Sequence, residues 1–277
     1  MPQWAAFVGL TGFLLTVLLA LARLSQRAME TDDAGGSPST GTGVTGTAGT
    51  EVYPRFETAE VARRRRHLSE QLTPTDPSTG ALLANVALTQ GLFGAVLVGG
   101  AVLFAIPASA LGITGASLST GLPALAIGVA AGVGFWTGSE LATLVADGFG
   151  VRFDESMREL LAPSSRAGWL VLLAVILPTI AVVEELLFRA AAIGVPVAGL
   201  GAPPWLMVPL AAGAFALGHG AQGRVGVVVS GTLGTALGAL FVLTNSLLAV
   251  VVAHYLLNAL ELTLHEWVDI DRLRVSG

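Results

Sequence analysis

The stretch at residues 168–193, GWLVLLAVILPTIAVVEELLFRAAAI, decides how this chain folds. It is apolar along almost its whole length, and a helix of about 20 such residues is long enough to cross a bilayer. It also contains Glu184, Glu185 and Arg189. Ionisable groups are costly to place in hydrocarbon, so those found there by default mark a functional site. The stretch therefore predicts a membrane protein whose activity depends on a few buried polar groups.

The composition of the whole chain agrees with a membrane protein. Of its 277 residues, 53% are hydrophobic and 12% are charged, whereas soluble domains carry about 25% charged residues. These values argue against a soluble enzyme, a coiled coil, a collagen and a wholly disordered chain. The net charge of −5 argues against a nucleic-acid partner, because no basic field is present to attract phosphates. The absence of cysteine rules out a disulfide framework and a cysteine nucleophile.

Further apolar runs predict an all-α fold, a polytopic transmembrane helix bundle of about seven spans, with eight as the alternative. The runs cover residues 4–22, 82–105, 122–146, 168–193, 204–217, 225–243 and 247–262.

The arginines outside these runs predict the orientation of the chain in the cell membrane. With seven spans, every loop that contains arginine falls on one side, which the positive-inside rule assigns to the cytoplasm. We therefore expect the N-terminus outside and the C-terminus in the cytoplasm. The alternative for the first run is a cleaved signal peptide, because Ala20, Leu21 and Ala22 resemble a cleavage site; the lack of basic residues before the run argues against cleavage.

The chain divides into four predicted segments. Residues 1–23 form an N-terminal transmembrane anchor, and residues 24–81 form a flexible Gly/Thr-rich linker followed by a basic cytoplasmic loop. Residues 82–267 form the membrane core, and residues 268–277 form a cytoplasmic tail. The run Arg63–Arg66 in the basic loop is expected to contact anionic lipid headgroups.

Polar residues within the last spans form three short motifs. Glu185 and Arg189 are four residues apart, so they share a helix face and can pair. Glu184 points about 100° away from Glu185 around the helix, so Arg189 neutralises its charge less. The other two motifs repeat the four-residue spacing on later runs: Phe215 with His219, and His254 with Asn258. We expect the three helices to bring these groups to one site.

Such a set of groups can hydrolyse an amide. A buried glutamate can act as general base towards water, a histidine can share the proton, and a second histidine with an asparagine can donate hydrogen bonds to an oxyanion. Alternatively, two histidines and one glutamate could hold Zn²⁺. The spacing does not choose between these mechanisms.

Two other interpretations of the motifs compete with hydrolysis. The pairs could serve only as polar contacts between helices. They could also line an ion or proton pathway, as in a transporter, although a pathway predicts polar residues along more of the helices.

The ordered motifs EExxxR, FxxxH and HxxxN resemble the CPBP family, also called the ABI family, of type II CAAX prenyl endopeptidases and related intramembrane proteases. The resemblance covers roughly residues 165–265 and includes the glycines at 231, 234 and 238 before the third motif. The sequence departs from the family pattern at Ala190, where glycine is common.

The resemblance implies an intramembrane endopeptidase that acts on a membrane-associated or lipidated protein. It implies that Glu184 and His219 activate water, that His254 and Asn258 stabilise the oxyanion, and that Glu185, Arg189 and Phe215 support the site. If a metal takes part, Glu184, His219 and His254 are its expected ligands and Zn²⁺ the expected ion. The alternatives are a non-proteolytic protein on the same scaffold, with an immunity, chaperone or anchoring role, and an ion- or proton-coupled transporter.

Overall fold

The computed structural model of the chain describes residues 1–35, 79–148 and 161–268. All regular secondary structure in these ranges is helical, which confirms the predicted all-α fold. The predicted lipid-binding run Arg63–Arg66, most of the predicted linker and most of the predicted tail lie outside the described residues.

The helices follow one another in eight main elements, which we number along the chain. They are α1 (Trp4–Gly35), α2 (Thr79–Leu103), the short α3 (Ser117–Thr120), α4 (Leu122–Gly148), α5 (Arg166–Leu200), α6 (Pro204–Gly218), α7 (Gly223–Thr244) and α8 (Leu247–Leu262). Single 3₁₀ turns occupy Ala108–Leu111 and Gly220–Gln222, and a π-helical turn over Thr263–Trp267 extends α8.

Six of these helices, namely α1, α2, α4, α5, α7 and α8, are long and apolar enough to cross a membrane. The seventh predicted span corresponds to α6, whose 15 residues extend only about 22 Å at 1.5 Å per residue. Large apolar side chains such as Leu88, Val102 and Leu206 point outward, as expected of surfaces that face lipid. The multi-span bundle that the sequence predicts is therefore present, with one short helix among its members.

Helix α5 is the element around which the others pack. It contains two π-helical segments, Leu172–Ile176 and Leu186–Gly194, separated by an α-helical segment, Leu177–Glu185. The residues of the second π segment are almost all buried in the main hydrophobic core. π-helical turns occur frequently at functional sites, and this one begins directly after Glu184 and Glu185.

Helix α1 packs against the rest of the bundle through small residues. The ring of Trp4 lies over Gly199, where an added Cβ would overlap the ring, and Leu10 lies over Gly100. Phe7 is buried, 1% exposed, in the main core. The helix continues to Gly35, beyond the predicted end of the anchor at residue 23.

Helices α4 and α8 are in unusually close contact. A Cβ added at Gly128 would lie 2.7 Å from the carbonyl oxygen of Ala249, and one added at Gly132 would lie 2.8 Å from the carbonyl oxygen of Ala253. The second contact lies four residues after the first on both helices, so α4 and α8 run parallel. Glycines that allow backbones to approach in this way are typical of helix contacts in membranes.

We predict that Gly132→Ala destabilises the fold by about 1–3 kcal/mol, because the added methyl group must push α4 away from α8. Gly134→Ala is the matched control, since nothing lies within 4 Å of a Cβ at that position of the same helix. Thermal unfolding of the purified protein in detergent measures the difference. Equal midpoints for the two variants would contradict the close contact described for Gly132.

Candidate active site

Glu185 and Arg189 form a fully buried ion pair within α5. The Nη1 atom of Arg189 donates a hydrogen bond to Oε1 of Glu185 at 2.7 Å, and the side chains are 1% and 0% exposed. The second nitrogen, Nη2, donates to the carbonyl oxygen of Gly234 in α7 at 3.2 Å. The guanidinium carbon also lies 4.8 Å from the centre of the Phe215 ring in α6. One arginine thus connects three helices.

His254 of α8 completes this buried group. Its Nδ1 lies 2.7 Å from Oε1 of Glu185. Glu185 is paired with a guanidinium and accepts hydrogen bonds as a carboxylate, so we assign the proton to Nδ1 of the histidine. The other ring nitrogen, Nε2, lies 3.8 Å from Oε2 of Glu184. The imidazole therefore stands between the two carboxylates, held by one and facing the other.

Glu184 occupies a different environment from its neighbour. Its side chain is 15% exposed and lines a cavity of about 230 Å³. Nε2 of Gln90 in α2 donates to its Oε1 at 3.4 Å. Adjacent positions on a helix point about 100° apart, which is why one carboxylate is enclosed with Arg189 and the other reaches the cavity.

His219 also lines this cavity. Its Nδ1 lies 2.9 Å from the carbonyl oxygen of Phe215. A carbonyl oxygen can only accept, so Nδ1 must donate, and Nε2 of the neutral ring carries the lone pair. This arrangement is the one that a proton acceptor requires.

The Phe215 ring lies at the centre of the site. It contacts the ring of His219 with 4.4 Å between centroids, and its centroid is 6.1 Å from that of His254. Phe188 of α5 packs against it edge to face at 5.0 Å. The ring thereby keeps the two histidines and the buried arginine in fixed relative positions.

The cavity is apolar apart from a few groups. Helix α1 contributes Leu18, Leu21 and Ala22, and α2 contributes Thr89, Gln90 and Phe93. Sequence reasoning missed these residues as site components. A signal existed for Gln90, which is an amide within an apolar run, whereas Leu18, Leu21 and Ala22 look like any lipid-facing side chains.

The last of the predicted site residues, Asn258, lies on α8. It follows His254 by one turn of α8 and is partly buried. No hydrogen bond joins it to the other predicted site residues within the part of the chain that is described.

The expected zinc ligands do not converge as a ligand set. Among the residues that the structure describes, one group of three side chains has ligand atoms within 4.8 Å of one another, and it consists of Glu140, Glu261 and His265. Glu184, His219 and His254 do not form such a group. A metal at the predicted site is therefore not supported by this arrangement of side chains.

Comparison with known proteins identifies the segment that contains these groups. Residues 166–260 match the sequence model of a family described as type II CAAX prenyl endopeptidase Rce1-like. This segment begins with α5 and ends within α8, and it contains every predicted site residue. Searches of the curated proteins and of the solved structures gave no match.

The matched segment contains the three motifs EExxxR, FxxxH and HxxxN. Residues 166–260 of this chain are therefore similar to the type II CAAX prenyl endopeptidase Rce1-like family.

Proposed function

We propose that this protein is an intramembrane endopeptidase that hydrolyses a peptide bond at the cavity between α1, α2, α5 and α6. The observation that carries the proposal is the unequal placement of two adjacent carboxylates. Glu185 is 0% exposed and paired with Arg189, whereas Glu184 reaches the cavity together with His219. One carboxylate supports the site and the other is available for chemistry.

In the proposed reaction Glu184 is the general base. A water molecule in the cavity transfers a proton to the Glu184 carboxylate as its oxygen attacks the carbonyl carbon of the peptide bond. His219 offers a second proton acceptor through Nε2, because its Nδ1 is engaged with the Phe215 carbonyl. The proton then passes to the leaving nitrogen, the C–N bond breaks, and a carboxylic acid and an amine are the products.

His254 and Asn258 are the proposed donors to the oxyanion that forms during attack. Nδ1 of His254 is occupied by Glu185, so the donor must be Nε2, which carries a proton only in the imidazolium form. Nε2 lies 3.8 Å from Glu184, close enough for the proton that Glu184 removes from water to be shared. Asn258 has to approach the oxyanion once substrate is bound.

The proposed substrate is a membrane-associated or lipidated protein, as the family assignment suggests. The cavity wall supports an apolar ligand, since Leu18, Leu21, Phe93, Leu187 and Phe188 line it. We also retain the predicted orientation, with the N-terminus outside and the C-terminus in the cytoplasm, as a proposal. The basic run Arg63–Arg66 would then lie beside anionic lipids on the cytoplasmic side.

We predict that Glu184→Gln lowers the rate of cleavage by about 10²–10⁴-fold, because glutamine keeps the shape but cannot accept the proton. Glu266→Gln is the control, a similar replacement at the end of α8. The measurement is cleavage of a membrane-tethered peptide by the purified protein, followed by comparison of membrane-protein termini in cells that express each form. Full activity of the Glu184 variant would refute the proposed mechanism. Protein that folds but cleaves nothing in either form would favour the non-proteolytic alternative.

We predict a different outcome for Glu185→Gln. Removing one partner of a buried ion pair leaves an uncompensated charge and costs about 3–5 kcal/mol, so this variant should unfold at a clearly lower temperature. Glu184→Gln should unfold close to the wild type, since its carboxylate is partly exposed and makes one long hydrogen bond. Thermal unfolding in detergent measures both, and equal losses for the two variants would contradict the division of roles.

We also predict that Gln90→Met lowers kcat by about tenfold with a smaller change in KM. Methionine fills the same space but cannot donate to Glu184, so the carboxylate loses its orientation without loss of the cavity wall; a hydrogen bond to a charged group contributes about 1.5–3 kcal/mol. Steady-state cleavage of the tethered peptide gives both constants. Gln90→Asn is the comparison, because it keeps the amide but is one methylene shorter, so its donor cannot reach Oε1 of Glu184 and kcat should fall in the same way. An unchanged kcat for Gln90→Met would show that the contact has no role in the reaction.

A further inference from the structure

A second group of ionisable side chains lies in the C-terminal halves of α4 and α8 and in the turn that follows α8. Nε2 of His265 is 2.7 Å from Oε1 of Glu140 and 3.8 Å from Oε1 of Glu261. One ligand atom from each of the three residues lies within 4.8 Å of the others. His265 follows His254 by eleven residues, which is about 16 Å along a helix. The group is therefore distinct from the candidate active site.

The packing of α4 on α8 determines the position of this group. Gly128 lies against Ala249 and Gly132 lies against Ala253. Residues that are four positions further along α4 therefore lie against residues four positions further along α8. Two further steps of four residues bring Glu140 beside Glu261. His265 lies on the same face of α8, one turn later, in the π-helical segment Thr263–Trp267. Three side chains from two rigidly packed helices thus point to one place.

The three side chains differ in exposure in a way that suits an ion site with access from water. The side chains of His265 and Glu140 are 6% and 13% exposed, whereas that of Glu261 is 34% exposed. Glu140 lies close to the end of the apolar span Leu122–Val145. Glu261 is thus the more accessible of the three ligands, whereas His265 and Glu140 would enclose a bound ion.

We propose that Glu140, Glu261 and His265 bind a divalent transition-metal ion, with Zn²⁺ as the best-fitting ion. Imidazole and carboxylate ligands lie 2.0–2.2 Å from zinc, so two ligand atoms of a tetrahedral site are about 3.3–3.6 Å apart. The observed separations of 2.7 and 3.8 Å lie on either side of this range. The third pair of ligand atoms, from Glu140 and Glu261, lies within 4.8 Å, so shifts of up to about an ångström would place all three atoms on one ion.

The chemistry of the ligands selects the class of ion. One imidazole with two carboxylates suits zinc and its neighbours in the first transition series, whereas Mg²⁺ and Ca²⁺ prefer ligand sets made entirely of oxygen. Three protein ligands leave one tetrahedral position for water. An ion held in this way joins the ends of α4 and α8.

The test is Zn²⁺ binding by the full-length protein in detergent, measured by isothermal titration and by metal content after removal of excess ion. All variants carry Glu184→Gln, so that binding at the candidate active site is not counted. His265→Gln and Glu140→Gln should each weaken Zn²⁺ binding by about 100-fold or more, since even loss of a group that orients a ligand costs 10–100-fold. Co²⁺ provides a second readout, because its visible spectrum reports nitrogen and oxygen ligation, and the chain has no cysteine to add thiolate bands.

Glu266→Gln is the matched control, an acidic residue next to His265 that is not in the group, and it should bind Zn²⁺ as tightly as the parent. If His265→Gln does not fold, the partly exposed Glu261→Gln supplies the same comparison with less risk to the core. Equal Zn²⁺ affinity for the parent and the folded ligand variants would overturn the proposal. Failure of the folded parent to bind Zn²⁺ would overturn it as well, and would leave the group as a hydrogen-bonded contact between helices.

Discussion

The buried pair of Glu185 and Arg189 is the interaction on which the rest of the structure depends. Removing two opposite charges from water is expensive unless further hydrogen bonds satisfy them. The bundle supplies two such bonds, one to the Gly234 carbonyl at 3.2 Å from Arg189 and one from Nδ1 of His254 at 2.7 Å from Oε1 of Glu185, whereas Oε2 of Glu185 has no hydrogen-bond partner in the described part of the chain. Helices α5, α7 and α8 must therefore keep their mutual positions for the pair to remain compensated. The hydrogen bond that helps to stabilise the buried pair therefore also orients His254, whose other ring nitrogen faces Glu184.

The local geometry of α5 separates two chemically identical residues. Glu184 and Glu185 differ by one step around the helix, yet one has a guanidinium and an imidazole as partners and the other has an amide and a cavity. The π-helical segment Leu186–Gly194 begins immediately after them. It carries Arg189 and places Phe188 against Phe215. The proposed catalytic role of Glu184 and the proposed supporting role of Glu185 rest on this difference in environment.

Much of the site could be predicted from sequence because its parts are local. The pairing of Glu185 with Arg189 and the contact of Phe215 with His219 follow from four-residue spacing on single helices. Contacts between helices could not be predicted, since they depend on the rotation of each helix about its axis. The hydrogen bond from Gln90 to Glu184 joins residues 94 positions apart, and the partner of His254 is set by packing rather than by spacing. The bundle itself could be predicted from the apolar runs. The composition of α6 is as apolar as that of the other spans, so composition alone did not show that this helix is shorter than a full span.

Helix α1 lies outside the family segment, yet Leu18, Leu21 and Ala22 form part of the cavity wall beside Glu184 and His219. Residues 20–22 are also the ones that resemble a signal-peptide cleavage site. Cleavage there would separate most of α1 from the bundle and would remove the side chains that this helix contributes to the cavity wall. Retention of the first helix is thus a condition for the cavity as described, and loss of this helix would leave Glu184 and His219 beside a wider opening.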